Sequence, residues 1–190
     1  GHGMNVVLAK TAGFCFGVDR AVSLVEEAVG QGKEVSTLGP IIHNRHVTAH
    51  FAEKGVRELQ EPEEAQPGSV VVIRSHGISR AVYERLQVQD VEIVDATCPF
   101  VKRIHKIVLR AEEQGRLPVI IGTKSHPEVQ AIAGWCKHPL VFETPEELSS
   151  WLQEDPARCH LPLTMVSQTT STQNLWERCR KIIKKECTNG

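Results

Sequence analysis

The sequence lacks the features that mark membrane, secreted and nucleic-acid-binding proteins. It contains no run of the roughly 20 apolar residues that a membrane helix needs. No signal peptide precedes its first apolar stretch, so we expect a cytoplasmic protein without membrane contacts. Its 22 basic and 23 acidic residues give a net charge of −1, which leaves no broad basic surface for nucleic acid. The six cysteines have neither zinc-ribbon spacing nor the density of a secreted scaffold, and we expect them to be reduced.

What the sequence does contain is an internal repeat. Cys15 aligns with Cys98, 83 residues later, and the same displacement aligns His43 with His126 without a gap. The other matches at this displacement are Val18 with Val101, Arg20 with Arg103, Val25 with Val108, Ala28 with Ala111, Gln31-Gly32 with Gln114-Gly115, and Gly39 with Gly122. A repeat of this length indicates a duplicated supersecondary unit or small domain.

The repeat predicts the domain organisation. Residues 1–3 precede Met4 and are interpreted as the remnant of an expression tag. We expect residues 4–97 to form one domain and residues 98–190 a second, similar domain. Apolar runs typical of strands alternate with helical periodicity in both halves, which predicts two three-layer α/β modules with mainly parallel sheets and helical crossovers.

Polar side chains recur at one kind of position in the predicted fold, directly after the carboxyl ends of strands. Open α/β sheets bind their ligands at that edge. If the two modules face each other, all of these side chains can line one cavity. They belong to Cys15, His43, His76, Cys98, His126 and Gln168-Thr169.

Cys98 follows a predicted strand and precedes a predicted helix. Its sulfur is expected near free backbone N–H groups and the positive end of the helix dipole, which favours a thiolate that acts as ligand or nucleophile. A buried structural cysteine is the common alternative for any single loop cysteine. Repetition of the position favours the functional interpretation for Cys15 and Cys98. The structural interpretation stands for Cys136, Cys159, Cys179 and Cys187.

Three histidines, His43, His76 and His126, are each predicted close to a helix N-terminus. Free N–H groups and the helix dipole attract phosphate there, and a protonated imidazole adds a charged donor. A lone loop histidine is usually solvated or caps a helix. Three at equivalent junctions favour a phosphate or diphosphate pocket.

Glu128 is the candidate acid, since it lies two residues after His126 in the first turn of a predicted helix. Its alternative role is electrostatic stabilisation of that helix end, worth about 0.3–1 kcal/mol. A carboxylate beside an anion is repelled unless it carries or relays a proton, so the functional interpretation predicts a proton donor. Thr169 either donates a hydroxyl to substrate or caps the last helix.

Six ordered motifs resemble the LytB or IspH family, 4-hydroxy-3-methylbut-2-enyl diphosphate reductase. The resemblance covers Met4 to about Lys185. The motifs are Gly13-Phe14-Cys15-x-Gly17-Val18-x-Arg20-Ala21, Ile42-His43-Asn44-x-x-Val47, Ser75-His76-Gly77, Asp95-Ala96-Thr97-Cys98-Pro99, Gly122-x-x-x-His126-Pro127-Glu128-Val129 and Gln168-Thr169-Thr170.

The resemblance implies an oxygen-sensitive iron–sulfur cluster, of the [4Fe-4S] type, at the centre of three similar α/β domains. It implies a two-electron reductive dehydroxylation of an allylic diphosphate, the last step of non-mevalonate isoprenoid biosynthesis, with ferredoxin or flavodoxin as electron donor. Residue by residue, it implies that Cys15 and Cys98 bind the cluster. His43, His76 and His126 would bind substrate, Glu128 would deliver protons, with His126 near the proton path, and Thr169 would bind the substrate hydroxyl.

The family has a third domain with a third cluster cysteine, and we expect this chain to be a truncated, inactive fragment without that domain. Cys187 lies at a helix end with no strand before it, so the third ligand is not assigned to it. Two alternatives stay open: a diphosphate-binding or regulatory module without redox activity, and a zinc hydrolase using Cys15, Cys98 and a histidine. A homodimer through the apolar face left by the absent domain is a further expectation.

Overall fold

The computed structural model describes residues 6–9 and 17–188 of the 190-residue chain. The strands are β1 (Val6–Ala9), β2 (Val35–Leu38), β3 (Arg57–Leu59), β4 (Ser69–Ile73), β5 (Val91–Asp95), β6 (Leu117–Ile121), β7 (Leu140–Phe142) and β8 (Leu163–Ser167). The helices are α1 (Gly17–Gly30), α2 (Arg45–Glu53), α3 (Arg80–Gln87), α4 (Pro99–Glu113), α5 (Pro127–Ala133), α6 (Pro145–Glu154) and α7 (Gln173–Thr188), with 3₁₀ turns at Pro62–Glu64 and Pro156–His160.

The chain divides into two compact units. The first unit comprises the described part of residues 15–102, and the second unit comprises that of residues 1–14 and 103–190. Each unit has a four-stranded sheet whose pairings are all parallel, in the order β3-β2-β4-β5 in the first unit and β7-β6-β8-β1 in the second. The predicted α/β class with parallel sheets is confirmed.

The first unit has helices on both faces of its sheet, because successive residues of a strand point to opposite faces. Val70 and Val72 of β4 pack in a cluster with Val25 of α1 and residues of α2. Val71 and Ile73 pack on the other side, in a cluster that includes residues of α3. All five residues of β4 are buried, as expected for a central strand covered on both faces.

The second unit repeats this arrangement. Val119 and Ile121 of β6 pack in the cluster formed with α6 and α7. Ile120 packs on the opposite side, with Ile104 of α4 and Ile132 of α5. Both units therefore have three layers, helix, sheet and helix, as the repeat predicts.

The boundaries of the units differ from the predicted grouping into residues 4–97 and 98–190. β1 pairs with β8 in the second unit, whereas the prediction placed it with the strands of the first domain. The reason is that the last strand of the second sheet comes from the start of the chain: β1 occupies the edge position in its sheet that β5 occupies in the other. The strand before each repeated cysteine thus completes one unit, and the helix after that cysteine begins the next.

Candidate functional site

Two histidines meet at the carboxyl edge of the first sheet. β2 and β4 are neighbours, with Leu38 opposite Ile73, so the loops that follow them leave the sheet side by side. His43 lies in the first loop and His76 in the second, and their ring centroids are 6.5 Å apart. The sequence placed both histidines after strand ends, and the structure brings the two rings together.

The His43 loop leads into α2. The helix is capped by Asn44, whose side-chain oxygen accepts hydrogen bonds from the backbone N–H groups of His46 and Val47. An exposed imidazole at position 43 therefore directly precedes a helix start, the position at which anions are attracted.

Cys98 occupies the junction between β5 and α4 that the sequence predicts. Its backbone N–H donates to the carbonyl of Ser75 at 3.0 Å, and its own carbonyl accepts from Lys102 N at 2.9 Å, the first bond of the helix. The side chain is fully buried and forms no disulfide among the described residues. Because Ser75 directly precedes His76, the backbone of Cys98 is held against the histidine loop.

Asp95 fixes the turn that carries Cys98. One carboxylate oxygen accepts from Thr97 N at 3.0 Å and the other from the Lys102 ammonium at 3.0 Å. Burial raises the pKa of Asp95, but the hydrogen bonds from Thr97 and Lys102 outweigh burial, so the pKa lies below its ordinary value. The turn is thus stabilised by an ionised aspartate.

Cys15, the equivalent of Cys98 in the repeat, lies outside the described residues. Among the residues that the structure does describe, no three His, Cys, Asp or Glu side chains are grouped closely enough to hold a metal ion. Cys98 is nevertheless suited to one position on an iron–sulfur cluster, since it lies at the start of a helix and cysteine thiolates are the ligands of such clusters.

Glu128 and Thr169 form a closed pair in the second unit. Glu128 and Thr169 are 3% and 2% exposed. The carboxylate accepts from the Thr169 backbone N–H at 2.6 Å and from its hydroxyl at 2.9 Å. Thr169 therefore does not cap the last helix; Thr172 does, accepting from Leu175 N at 3.0 Å.

His126 is the N-cap of α5, with its Nδ1 accepting from Glu128 N at 3.2 Å. Of the two roles considered for a loop histidine, helix capping is the role that Nδ1 of His126 has. It also fixes the imidazole beside the first turn of α5, next to the residue that binds Thr169. Pro127 occupies the first helical position, where its fixed backbone angle suits a helix start.

Gln168 has a structural role that the sequence did not reveal. Its Oε1 accepts from Thr123 N at 2.8 Å, and its Nε2 donates to the Thr170 hydroxyl at 2.7 Å. The side chain thereby ties the loop after β6 to the loop after β8 and holds Thr169 in place. Its position after a strand was the only signal in the sequence.

The remaining cysteines are structural, but not all are reduced. Cys159 and Cys187 form a disulfide with a Cα–Cα distance of 5.0 Å, contrary to the prediction of six reduced thiols, because the 3₁₀ turn after α6 lies against the end of α7. Burial, and then Glu112, raises the pKa of Cys136 to about 12. Burial raises the pKa of Cys179 to about 11.

The predicted site residues thus fall into two groups. The His43, His76 and Cys98 loops meet in the first unit, and His126, Glu128 and Thr169 meet in the second.

In the described residues, no helix has the length and apolar character of a membrane span.

Comparison with known proteins matches residues 6–190 to the family model described as LytB protein. A relative from Caldanaerobacter subterraneus subsp. tengcongensis, named 4-hydroxy-3-methylbut-2-enyl diphosphate reductase, is 40% identical over 187 residues, which cover 96% of this chain and 63% of the relative. One of the same name from Clostridium perfringens is 38% identical over 180 residues, covering 92% and 60%.

Solved structures agree with this match. A structure of (E)-4-hydroxy-3-methyl-but-2-enyl diphosphate reductase superposes with a TM-score of 0.77 at 36% identity, covering 96% of this chain and 64% of that one. The Plasmodium falciparum reductase shares the fold, with a TM-score of 0.78 at 23% identity over 98% of this chain and 57% of that one. The chain therefore spans less than two thirds of the length of these proteins. Its fold, its motifs and its relatives together establish that this chain belongs to the LytB protein family.

Proposed function

We propose that the protein to which this chain corresponds is a 4-hydroxy-3-methylbut-2-enyl diphosphate reductase of cytoplasmic isoprenoid biosynthesis, by the non-mevalonate route. The observation that carries the proposal is the buried Glu128–Thr169 pair. The Thr169 hydroxyl donates to the carboxylate, which leaves its oxygen lone pairs for a substrate hydroxyl. Such a pair connects a leaving hydroxyl to a proton source.

The overall reaction fixes what the residues must do. The substrate C–O bond breaks, its oxygen leaves as water after taking up one proton, and two electrons with a second proton complete the alkene. Glu128 supplies a proton towards the hydroxyl through Thr169, and the cap formed by His126 keeps Glu128 in place. Burial of the pair excludes bulk water, so the proton to be delivered does not exchange freely with the solvent.

The first unit supports the binding half of the proposal. His43 and His76 donate hydrogen bonds to the diphosphate, whose negative charge is also attracted by the start of α2. Cys98, together with Cys15, holds the iron–sulfur cluster, which we take to be [4Fe-4S] as in the family. When bound, the cluster supplies electrons and a Lewis-acidic iron; ferredoxin or flavodoxin would be the reductant.

The test combines iron analysis with kinetics. Iron and acid-labile sulfide should be measured per chain after anaerobic purification of this chain and of the full-length protein. In the full-length protein, Cys98→Ser should abolish cluster binding and Cys136→Ser should leave it intact. Equal iron in both variants would refute the assignment of Cys98.

Turnover then separates reductase from binding module. Glu128→Gln in the full-length protein should lower kcat and leave KM for the diphosphate unchanged. A full-length protein that binds diphosphate but carries no iron would instead be the binding or regulatory module. One equivalent of zinc without iron would favour the hydrolase.

A further inference from the structure

The two units build the same corner at the carboxyl edge of their sheets. Gly39 follows β2 and donates its N–H to Leu59 O at 2.8 Å, while Gly122 follows β6 and donates to Phe142 O at 3.0 Å. In each sheet the next strand ends opposite this corner. The pairs Leu38 with Ile73 and Ile121 with Ser167 define that register.

The residue after that next strand spans the corner in both units. In the second unit this residue is Gln168, whose Oε1 lies 2.6 Å from where a Cβ on Gly122 would be. In the first unit it is Arg74, whose Nη1 lies 2.6 Å from the Cβ position of Gly39. A Cβ at either glycine would meet the end of the spanning side chain, which would have to shift; at Gly39 the φ of +75° itself favours glycine.

The two spanning side chains differ in charge. Gln168 bridges its loops with a neutral amide, so the geometry of the corner does not require a cation. Arg74 reaches over Gly39, and its Nε donates to Gly77 O of its own loop at 3.4 Å, so the first corner carries a guanidinium where the second carries an amide. A charge beyond what the architecture needs calls for another explanation.

The charge of Arg74 is also not balanced by an acid. Arg74 is half-buried, and burial lowers the pKa of its guanidinium. None of the ion pairs between described residues includes Arg74, whereas Arg80, six residues later, pairs with Glu84 at 3.0 Å. Partial burial of a cation without a carboxylate is unfavourable unless an anion compensates for it.

We propose that Arg74 is an anion-binding residue that contacts the diphosphate of the substrate beside His43 and His76. This inference rests on the function proposed above. A guanidinium presents a planar set of donors that matches phosphate oxygens and stays charged at every pH at which the protein works, whereas an imidazole loses its charge near neutrality. Arg74 would therefore supply a permanent positive charge to the pocket.

The test is titration calorimetry of this chain with inorganic diphosphate. Arg74→Gln copies the neutral bridge that Gln168 forms over Gly122, so it removes the charge and keeps a side chain that fits the corner. We expect its affinity for diphosphate to fall about 10- to 100-fold, as for loss of a hydrogen bond between charged groups. Arg74→Lys should retain most of the affinity, and Arg80→Gln, the matched control, should retain all of it.

Each of the other outcomes would overturn either the diphosphate site or the role of Arg74 in it. If the wild-type chain binds no diphosphate, the proposed diphosphate site itself fails, and Arg74 with it. Unchanged affinity in Arg74→Gln, or an equal loss in Arg80→Gln, overturns only the role of Arg74. Equal losses of affinity in Arg74→Gln and Arg74→Lys would show that the positive charge of residue 74 does not bind the diphosphate. Loss of the native circular dichroism spectrum in Arg74→Gln assigns the residue to folding instead.

Discussion

The Glu128–Thr169 pair can be tested for stability independently of any activity. Thr169→Val replaces the hydroxyl with a methyl group of similar size. It removes the 2.9 Å bond to the carboxylate and leaves the 2.6 Å bond from the backbone N–H intact. Because Glu128 is only 3% exposed, water does not readily replace the lost donor.

The expected magnitude follows from that burial. Leaving a buried hydrogen-bonding group without its partner costs about 1–3 kcal/mol, so the free energy of unfolding of the second unit should fall by about this amount. Glu128→Gln should cost less, because the amide oxygen can accept from Thr169 N while its NH₂ group donates to the rotated hydroxyl.

The assay uses the position of the tryptophans. All three, Trp135, Trp151 and Trp176, lie in the second unit, so urea unfolding followed by tryptophan fluorescence reports on that unit. Thr123→Val is the matched control, since Thr123 is exposed and gives only its backbone N–H to Gln168. A loss in Thr169→Val below about 0.5 kcal/mol, as is usual for surface substitutions, would refute the reasoning.

Three further predictions concern other groups. The pKa of Asp95 lies below its ordinary value, so the stabilising effect of its carboxylate should be full above about pH 4 and be lost as the pH falls further. Acid unfolding of the wild type and of Asp95→Asn should therefore show the two stabilities converging at low pH. With pKa values of about 12 and about 11, Cys136 and Cys179 should be alkylated at pH 8 only after unfolding, as measured by peptide mapping. Reduction of the Cys159–Cys187 disulfide, which closes a 28-residue separation, should lower the free energy of unfolding by about 3–4 kcal/mol.

Each of these has a contradicting result. A constant difference between wild type and Asp95→Asn from pH 7 to about pH 2 would show that the carboxylate is not ionised by its partners. Rapid alkylation of either cysteine in the native chain would contradict its raised pKa. An unfolding transition that does not change on addition of reductant would show that the disulfide does not form in solution.

Much of the site could be predicted because local rules place it. A cysteine between a strand and a helix, and a His-Pro-Glu sequence at a helix start, fix where Cys98 and Glu128 lie, and Pro127 marks that helix start directly. The repeat then predicted two similar parallel sheets. These features depend on neighbours in sequence, which periodicity and capping preferences record.

What could not be predicted depends on contacts between distant segments. The pairing of β1 with β8 joins strands at opposite ends of the chain, and parallel pairing leaves no local signal of its partner. The Cys159–Cys187 disulfide has no spacing motif. The approach of the Arg74 side chain to Gly39 joins positions 35 residues apart in the sequence, and no local pattern indicates it.

The two copies of the corner carry different side chains, which accounts for the anion binding proposed for the first unit and the proton delivery proposed for the second. The position 83 residues before Glu128 is Arg45, so a cation stands in the first turn of α2 where an acid stands in the first turn of α5. The spanning residues differ in the same direction, with Arg74 in the first unit and Gln168 in the second. The first corner is thus suited to receive an anion, and the second to hold a carboxylate and its proton. Keeping cations out of the second corner matters because a guanidinium beside Glu128 would pair with that carboxyl group and compete with its bond to Thr169. Replacing Gln168 with Arg should therefore impair turnover more than substrate binding.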